Sequence, residues 1–261
     1  MIFIRGRITS ANSEINIISL GSLLFSMTKA LYMDDSYLKQ WKAKIVSVKD
    51  DKFIVLDQTA FYPKSGGQPC DEGTFVKDGN EFRVVYAGKF SGEISHEVDK
   101  PGLKEGDEIS CEIDWDRRYT FMRYHTASHL ISNILFKRTD AKITGNQIEG
   151  EKTRMDFSMT DYSPEKLRTY VEEANKIIET DLPVTVDYMP REDVLLKPGL
   201  ARLAMGLPKN IKDFRIVRIG DIDEQVDGGT HVKNLKEIGK IEIIKTVNKG
   251  KNNRRMYFVL K

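Results

Sequence analysis

From Arg117 to Arg138 the chain reads RRYTFMRYHTASHLISNILFKR, free of glycine and proline, with apolar residues at Ala127, Leu130, Ile131, Ile134 and Leu135. That spacing predicts one long helix, and a helix of this kind must be packed against something. The chain on its N-terminal side differs in kind from the chain on its C-terminal side. From Trp41 to about Asp114 the segments WKAKIVSV, KFIVLD, EFRVVYAG, GEISHEV and EISCEID are short, β-rich and divided by glycine or charged turns. They predict an all-β barrel or sandwich. Between the second and third of them, QTAFYPKSGGQPCDEG is too rich in glycine and proline for regular structure and is expected to be a loop. After the helix, KTRMDFSM alternates with Met155, Phe157 and Met159 on one face, which predicts a strand. Ser163-Pro164-Glu165 supplies a cap and a proline at the first helical position, opening a second helix that Pro183 ends. FRIVRIGDI, GKIEIIKTV and RRMYFVLK finish the chain as strands, the last two joined by the turn NKGKNN. Helix, strand, helix and further strands make an α+β pattern.

With 261 residues there is room for two such units, each large enough for its own core. Formal charge is only +2, but the tail from Val232 to Lys261 holds nine Lys/Arg against two Glu, 9 − 2 = +7. That is either a basic face for a polyanion or a solvated strand surface. Cys70 and Cys111 are too few for a disulfide framework and favour a reducing, cytoplasmic setting. No apolar run reaches the ~18 residues needed to span a bilayer. Arg5 and Arg7 precede INIISLGSLLF, which imitates a signal peptide but lacks a convincing small-residue cleavage site. Residues 1–26 are therefore expected to be an extension, poorly ordered or not native, with the true start, Met1 or Met27, left open.

Three of the four histidines fall in two short motifs. His125 and His129 stand four apart on the predicted helix, so both imidazoles project from one face within a turn of each other and can share a metal ion. The bland alternative is surface decoration. The residues between them are Thr126, Ala127 and Ser128, so the glutamate base of an H-E-x-x-H protease helix is missing. Further ligands must come from elsewhere, and VDGGTHV at 226–232 offers both Asp227 and His231. Gly228 and Gly229 are expected to take positive φ values and fold those two side chains toward one point, unless the pair is an ordinary hairpin turn. Three imidazoles and a carboxylate suit a four-coordinate Zn²⁺ site, although a catalytic one more often leaves a position open.

HTASH and DGGTH, with TRMDFS between them and NNRRMYFV after them, resemble the editing domain shared by alanyl-tRNA synthetases and the free-standing AlaX proteins. DQTAFYPKSGGQPCDEG, Asp57 to Gly73, resembles the D-x-T-x-F-Y-P-x-x-G-G-Q-x-x-D-x-G signature of the same family. The resemblance covers roughly residues 28 to 261 in order. It implies a translation-factor-like β-barrel at 27–115 and, at 116–261, an α+β editing domain of the threonyl/alanyl-tRNA synthetase type. It also implies the barrel-containing AlaX class, acting without ATP. Its H-x-x-x-H motif falls on His125 and His129 and its C-x-x-x-H motif on Asp227 and His231, so the cysteine is absent. Loss of the thiolate lowers the expected zinc affinity and leaves Asp227 as a weak ligand or a partner behind three histidines.

The activity implied is hydrolysis of the ester joining serine, and in some members glycine, to the tRNA specific for alanine. Thr144, in AKITGNQIEG, aligns with the family position that contacts the serine hydroxyl, its plain alternative being a β-branched strand residue. With it, His125 and His129 are the expected catalytic residues. Gly66, Gly67 and Gln68 are expected to let backbone approach the aminoacyl end. Arg154, Lys249, Lys251, Arg254 and Arg255 are expected near tRNA phosphates, where each contact adds salt-dependent affinity. An RNA-binding module that has lost its metal and its catalysis is the alternative of a different class, and a deacylase of altered specificity is a third. The oligomeric state, monomer or homodimer, stays open.

Overall fold

The structure is a computed structural model and describes residues 28–200, 210–250 and 252–261. The expected extension 1–26, the candidate start at Met27 and Lys251 lie outside the described residues.

The first part is mainly β, with one 3-10 turn at Leu31–Met33: β1 (Lys29–Ala30), β2 (Gln40–Lys49), β3 (Phe53–Leu56), β4 (Gln58–Thr59), β5 (Gly73–Lys77), β6 (Asn80–Phe90), β7 (Glu93–Val98) and β8 (Glu108–Ile113). Six of these close into a barrel in the order β2-β3-β7-β6-β5-β8, which settles barrel over sandwich. Alternation drives the closure. Ile109, Cys111 and Ile113 of β8 point inward with Trp41, Ala43 and Ile45 of β2, while the residues between them face water. β5 carries no pattern separable from the glycine-rich stretch before it, and it is the strand that sequence alone does not resolve. Gly73 begins it because a side chain there would collide with the Glu112 carbonyl of β8.

α1 (Trp115–Thr139) starts where Asp114 accepts the Arg117 N–H, two residues before the predicted start. Then come β9 (Ile143–Ile148), β10 (Thr153–Phe157), α2 (Pro164–Glu179), β11 (Val184–Pro190), α3 (Arg191–Leu196), β12 (Asp213–Ile219), β13 (Asp223–Val226), β14 (Ile241–Asn248) and β15 (Arg254–Leu260). Ser163 caps α2 through the Lys166 N–H, with Pro164 in the first turn as expected. One sheet runs β14-β15-β10-β9 and a second runs β11-β12-β13. Leu167, Val171, Ala174 and Ile178 form the buried stripe of α2, and with Leu130, Ile131 and Ile134 of α1 they pack on Met155, Phe157, Met256 and Phe258 of the larger sheet. α1 is buried on more than one side, which is why polar residues such as Thr126 and Ser128 are inside it, each bonded to the carbonyl one turn back. No helix among the described residues is long and apolar enough to cross a membrane.

Barrel and helix are joined by a buried charge. Arg118 is fully buried; its Nε donates to Asp71 Oδ1 (3.1 Å) and Oδ2 (3.0 Å), Nη1 to the Ser36 carbonyl (2.8 Å) and Nη2 to the Ala60 carbonyl (2.5 Å). Trp115 packs against both apolar cores beside it.

Candidate functional site

Helix α1 presents His125 and His129 on one face with ring centroids 4.9 Å apart. The loop after β13 brings His231 to them, its ring 4.4 Å from that of His125 and 4.7 Å from that of His129. With Asp227 they offer one donor atom each, all within 4.8 Å of one another. All three imidazoles are buried.

The glycines of this loop act through space rather than through conformation. Neither Gly228 nor Gly229 has a positive φ, contrary to the expectation from sequence. A Cβ on Gly229 would instead collide with the His125 ring, so this position must be bare for the loop to lie against α1. Two side chains then fix the loop. Arg215, on β12, brackets the Asp227 backbone: its carbonyl accepts the Asp227 N–H (3.2 Å) and its Nη1 donates to the Asp227 carbonyl (2.9 Å). Gln68, from the glycine-rich stretch, donates to Thr230 Oγ1 (2.8 Å) and accepts the Thr230 N–H (3.4 Å). Gly67 has φ +86° and lies so close to β9 that a side chain would strike the Asn146 carbonyl, while its own carbonyl accepts the Ile148 N–H (2.8 Å). Gly66, φ +55°, faces open space.

The hydrogen bonds decide which His231 nitrogen faces the cluster. Thr126 Oγ1 donates to the Met122 carbonyl (2.9 Å), so its contact with His231 Nδ1 (3.1 Å) has the imidazole as donor. The proton therefore sits on Nδ1, and Nε2 is a lone pair 3.0 Å from Asp227 Oδ2. Two acceptors at that separation repel unless a proton or a cation lies between them. Burial, reinforced by the neighbouring His125, holds His231 well below the usual histidine range and opposes the proton. A cation answers the geometry, and three imidazoles with one carboxylate form a nitrogen and oxygen donor set that divalent ions accept.

The other groups divide by surroundings. Burial pushes His125 down to about 4, against the pull of Asp227. For Asp227 burial works toward a higher value, but His125 and then His129 outweigh it and hold the carboxyl well below the ordinary range. Burial also works against a charged His129, yet the carboxylates of Asp223 and Asp227 prevail and raise it to about 9. Its Nδ1 lies 3.7 Å from Asp223 Oδ2 and its Nε2 3.8 Å from Asp227 Oδ1.

Thr144 is not in this cluster. It is the extra residue of a bulge in β9, where Ile143 pairs with Phe157 and Gly145 with Asp156, and its side chain is exposed. Of the basic residues expected near RNA, Arg154 is half-buried on β10, 3.8 Å from Asp156. Arg255 makes a two-pronged pair with the same carboxylate (2.6 and 2.8 Å). Lys249 is exposed. Arg254 departs from the expected surface position: it is buried, its Nη1 donating to Asn248 Oδ1 (2.9 Å) and the Asn253 carbonyl (3.1 Å), with its guanidinium 5.1 Å from the Tyr162 ring centre. It sits on the inner face of the sheet and braces the turn between β14 and β15. Asp223 and Arg215 are the site residues that motif reading misses. Arg215 leaves a faint sign, a charge inside the apolar run FRIVRI; Asp223 leaves none.

Comparison with known proteins agrees with this geometry. Residues 27–117 match the family described as tRNA synthetases class II (A), and residues 214–257 match the threonyl and alanyl tRNA synthetase second additional domain. The alanine–tRNA ligase of Pyrococcus abyssi is 38% identical over 223 residues, 84% of this chain but 24% of the ligase. The alanyl-tRNA editing protein AlaX-M of Saccharolobus solfataricus is 40% identical over 238 residues, 90% of this chain and 100% of that protein. AlaX-M of Methanosarcina barkeri is 48% identical over 241 residues, 90% of this chain and 99% of that protein. A likeness at this level over nearly the whole of both chains, on a fold that gathers the histidines of HTASH and DGGTH at one point, places the chain in the AlaX-M family of alanyl-tRNA editing proteins.

Proposed function

We propose that this protein is a free-standing, ATP-independent deacylase that hydrolyses the ester between the tRNA for alanine and a wrong amino acid, serine foremost and glycine as a second substrate. The observation that carries the reading is the convergence of His125, His129, His231 and Asp227 on one point in a chain alike to an alanyl-tRNA editing protein over 90% of its length. Water adds to the ester carbonyl carbon, the bond to the terminal ribose oxygen breaks, and free amino acid and uncharged tRNA leave.

His125, His129 and His231 would hold a zinc ion, with Asp227 as a weak ligand or a partner behind them. When bound, such an ion supplies Lewis-acid polarisation to the ester carbonyl or to water. The part we assign to Asp227 is to bind and orient, its carboxyl facing all three imidazoles. Thr144 is the residue we assign to the substrate side chain: its bulge re-aims it, and a hydroxyl partnered by serine would be left unpaired by alanine, which is how a site of this kind rejects the correct product. Gly66, Gly67 and Gln68 shape the approach to it, with Gln68 acting through the loop it holds. Arg154, Lys249 and Arg255, with Lys251 beyond the described residues, are the groups we place along the tRNA backbone. We further read residues 27–115 and 116–261 as two domains, the first translation-factor-like, and the protein as cytoplasmic.

The test is release of serine and glycine from the alanine-specific tRNA by purified protein supplied with zinc, beside His231→Ala. Turnover by the wild type, lost in the variant, is expected. Tight tRNA binding without release of either amino acid would instead favour a module that binds and does not catalyse.

A further inference from the structure

His129 stands between two carboxylates, and only one of them belongs to the cluster. Its Nε2 faces Asp227 Oδ1 at 3.8 Å and its Nδ1 faces Asp223 Oδ2 at 3.7 Å. Asp223 opens β13 and is buried. Both its oxygens are held: Oδ1 accepts from Asn133 Nδ2 (2.8 Å) and Oδ2 from Gln225 Nε2 (2.8 Å). Asn133 comes four residues after His129 on α1, so one helix face supplies both the imidazole and the amide that braces the carboxylate. Neither amide carries charge, and His129 is the one ion-pair partner of Asp223 among the described residues. His129 Nδ1 in turn has no hydrogen-bond partner in this arrangement. A buried carboxylate whose two hydrogen bonds come from neutral amides faces a buried ring nitrogen that has no hydrogen-bond partner.

We propose that Asp223 is a positioning residue for the metal centre: it receives the Nδ1 proton of His129 and so turns Nε2 toward the point shared with His125, His231 and Asp227. This rests on the proposed metal site and adds to it a residue outside the four donors. A cation held at Nε2 would make Nδ1–H a stronger donor toward Asp223, whose Oδ2 stands 3.7 Å away. Asn133 and Gln225 keep the carboxylate facing the ring. His231 is oriented on the same plan, with Thr126 in the place of Asp223.

The experiment uses cobalt as a visible probe of the full chain, with affinity measured by chelator competition, the absorption spectrum of the bound ion and the melting temperature of the metal-free protein. Asp223→Asn is expected to melt close to the wild type, to bind cobalt ~10–100-fold more weakly and to shift its visible bands. Asp223→Glu, which restores the charge, is expected to recover part of the affinity. Should Asp223→Asn fail to fold, Asn133→Ala carries the same test in milder form, because Asn133 Oδ1 has no partner to lose. It is expected to weaken cobalt several-fold, and unchanged affinity would overturn the proposal. A wild type that takes up cobalt no better than Asp223→Asn, with the same spectrum, confines Asp223 to holding β13 on α1 and overturns Asp223 alone. A wild type that takes up no cobalt overturns the metal reading, and this proposal with it.

Discussion

His231 Nε2 and Asp227 Oδ2 face each other at 3.0 Å, while Thr126 Oγ1 holds the other ring nitrogen at 3.1 Å. The strongest consequence concerns what Asp227 does for metal binding. Asp227→Asn keeps the shape and removes the charge that three imidazoles face. Zinc affinity by chelator competition should fall by ~10–100-fold, as for loss of a weak ligand or of a group behind one. Asp227→Cys replaces oxygen by a thiolate, a softer donor, and should raise zinc occupancy above that of the wild type. Equal occupancy in all three proteins would remove Asp227 from the metal's surroundings.

Gly229→Ala tests the loop from the other side. Its Cβ would land on the His125 ring, so the loop must lift from α1 or the imidazole must turn away. Overpacking of this kind costs about 1–3 kcal/mol. Metal affinity and deacylation should drop together while the barrel strands keep their amide-exchange protection. Gly228→Ala, whose Cβ would meet only Met33 Sδ at 3.9 Å, is the matched control and should behave as the wild type.

Thr144→Val should damage serine release most, because only serine offers a hydroxyl for Thr144 to meet. Parallel deacylation of serine, glycine and alanine from the same tRNA checks it, and equal losses for all three would deny Thr144 a role in selectivity.

The two ends of the cluster differ in how plainly the sequence announces them. His125 and His129 are legible because helical period is local: four residues apart means one face, whatever the rest of the chain does. Their convergence with His231 is implied by motif order, but the reason for Gly229 is not, since a glycine needed for clearance looks the same in sequence as one needed for positive φ. Arg254 shows the reverse error. A basic tail suggests an RNA surface, yet the pairing of Arg254 with Phe157 through β15 and β10 puts its side chain on the inner face of the sheet, where turn carbonyls hold it. Asp223 and Arg215 act across strand pairings and helix packing that no local pattern records. The barrel is legible as five alternating strands and not as six, because β5 begins at the last glycine of the stretch before it.

Asp71→Ala should be among the most damaging changes outside the histidine cluster. It would leave the Arg118 guanidinium fully buried without its carboxylate, and an uncompensated buried charge costs about 3–5 kcal/mol. Urea unfolding should show that loss. Adding Arg118→Met removes the stranded charge and should recover part of it, with the Ser36 and Ala60 carbonyls left as the remainder. A single variant as stable as the wild type would mean that the pair contributes nothing to joining barrel and helix.

His96 sets a pH limit that belongs to the barrel alone. Its ring is wholly buried between Phe61 and Phe75, with Nδ1 donating to the Ile54 carbonyl (3.0 Å) and Nε2 accepting from Thr59 Oγ1 (2.9 Å). Burial lowers it from its ordinary value of 6.5 to about 4, so the folded protein binds this proton less readily than the unfolded chain. The stability it contributes is present above pH 6.5 and is lost as pH falls toward about 4. At about 1.36 kcal/mol per pH unit, the loss comes to about 3 kcal/mol across that window. His96→Gln, which can donate to one side and accept from the other without titrating, isolates this contribution. Unfolding free energies measured from pH 7.5 to 4 should fall more steeply for the wild type than for the variant, with the difference opening below pH 6.5. Parallel curves for the two proteins would show that His96 is protonated as readily folded as unfolded and that its burial sets no pH limit.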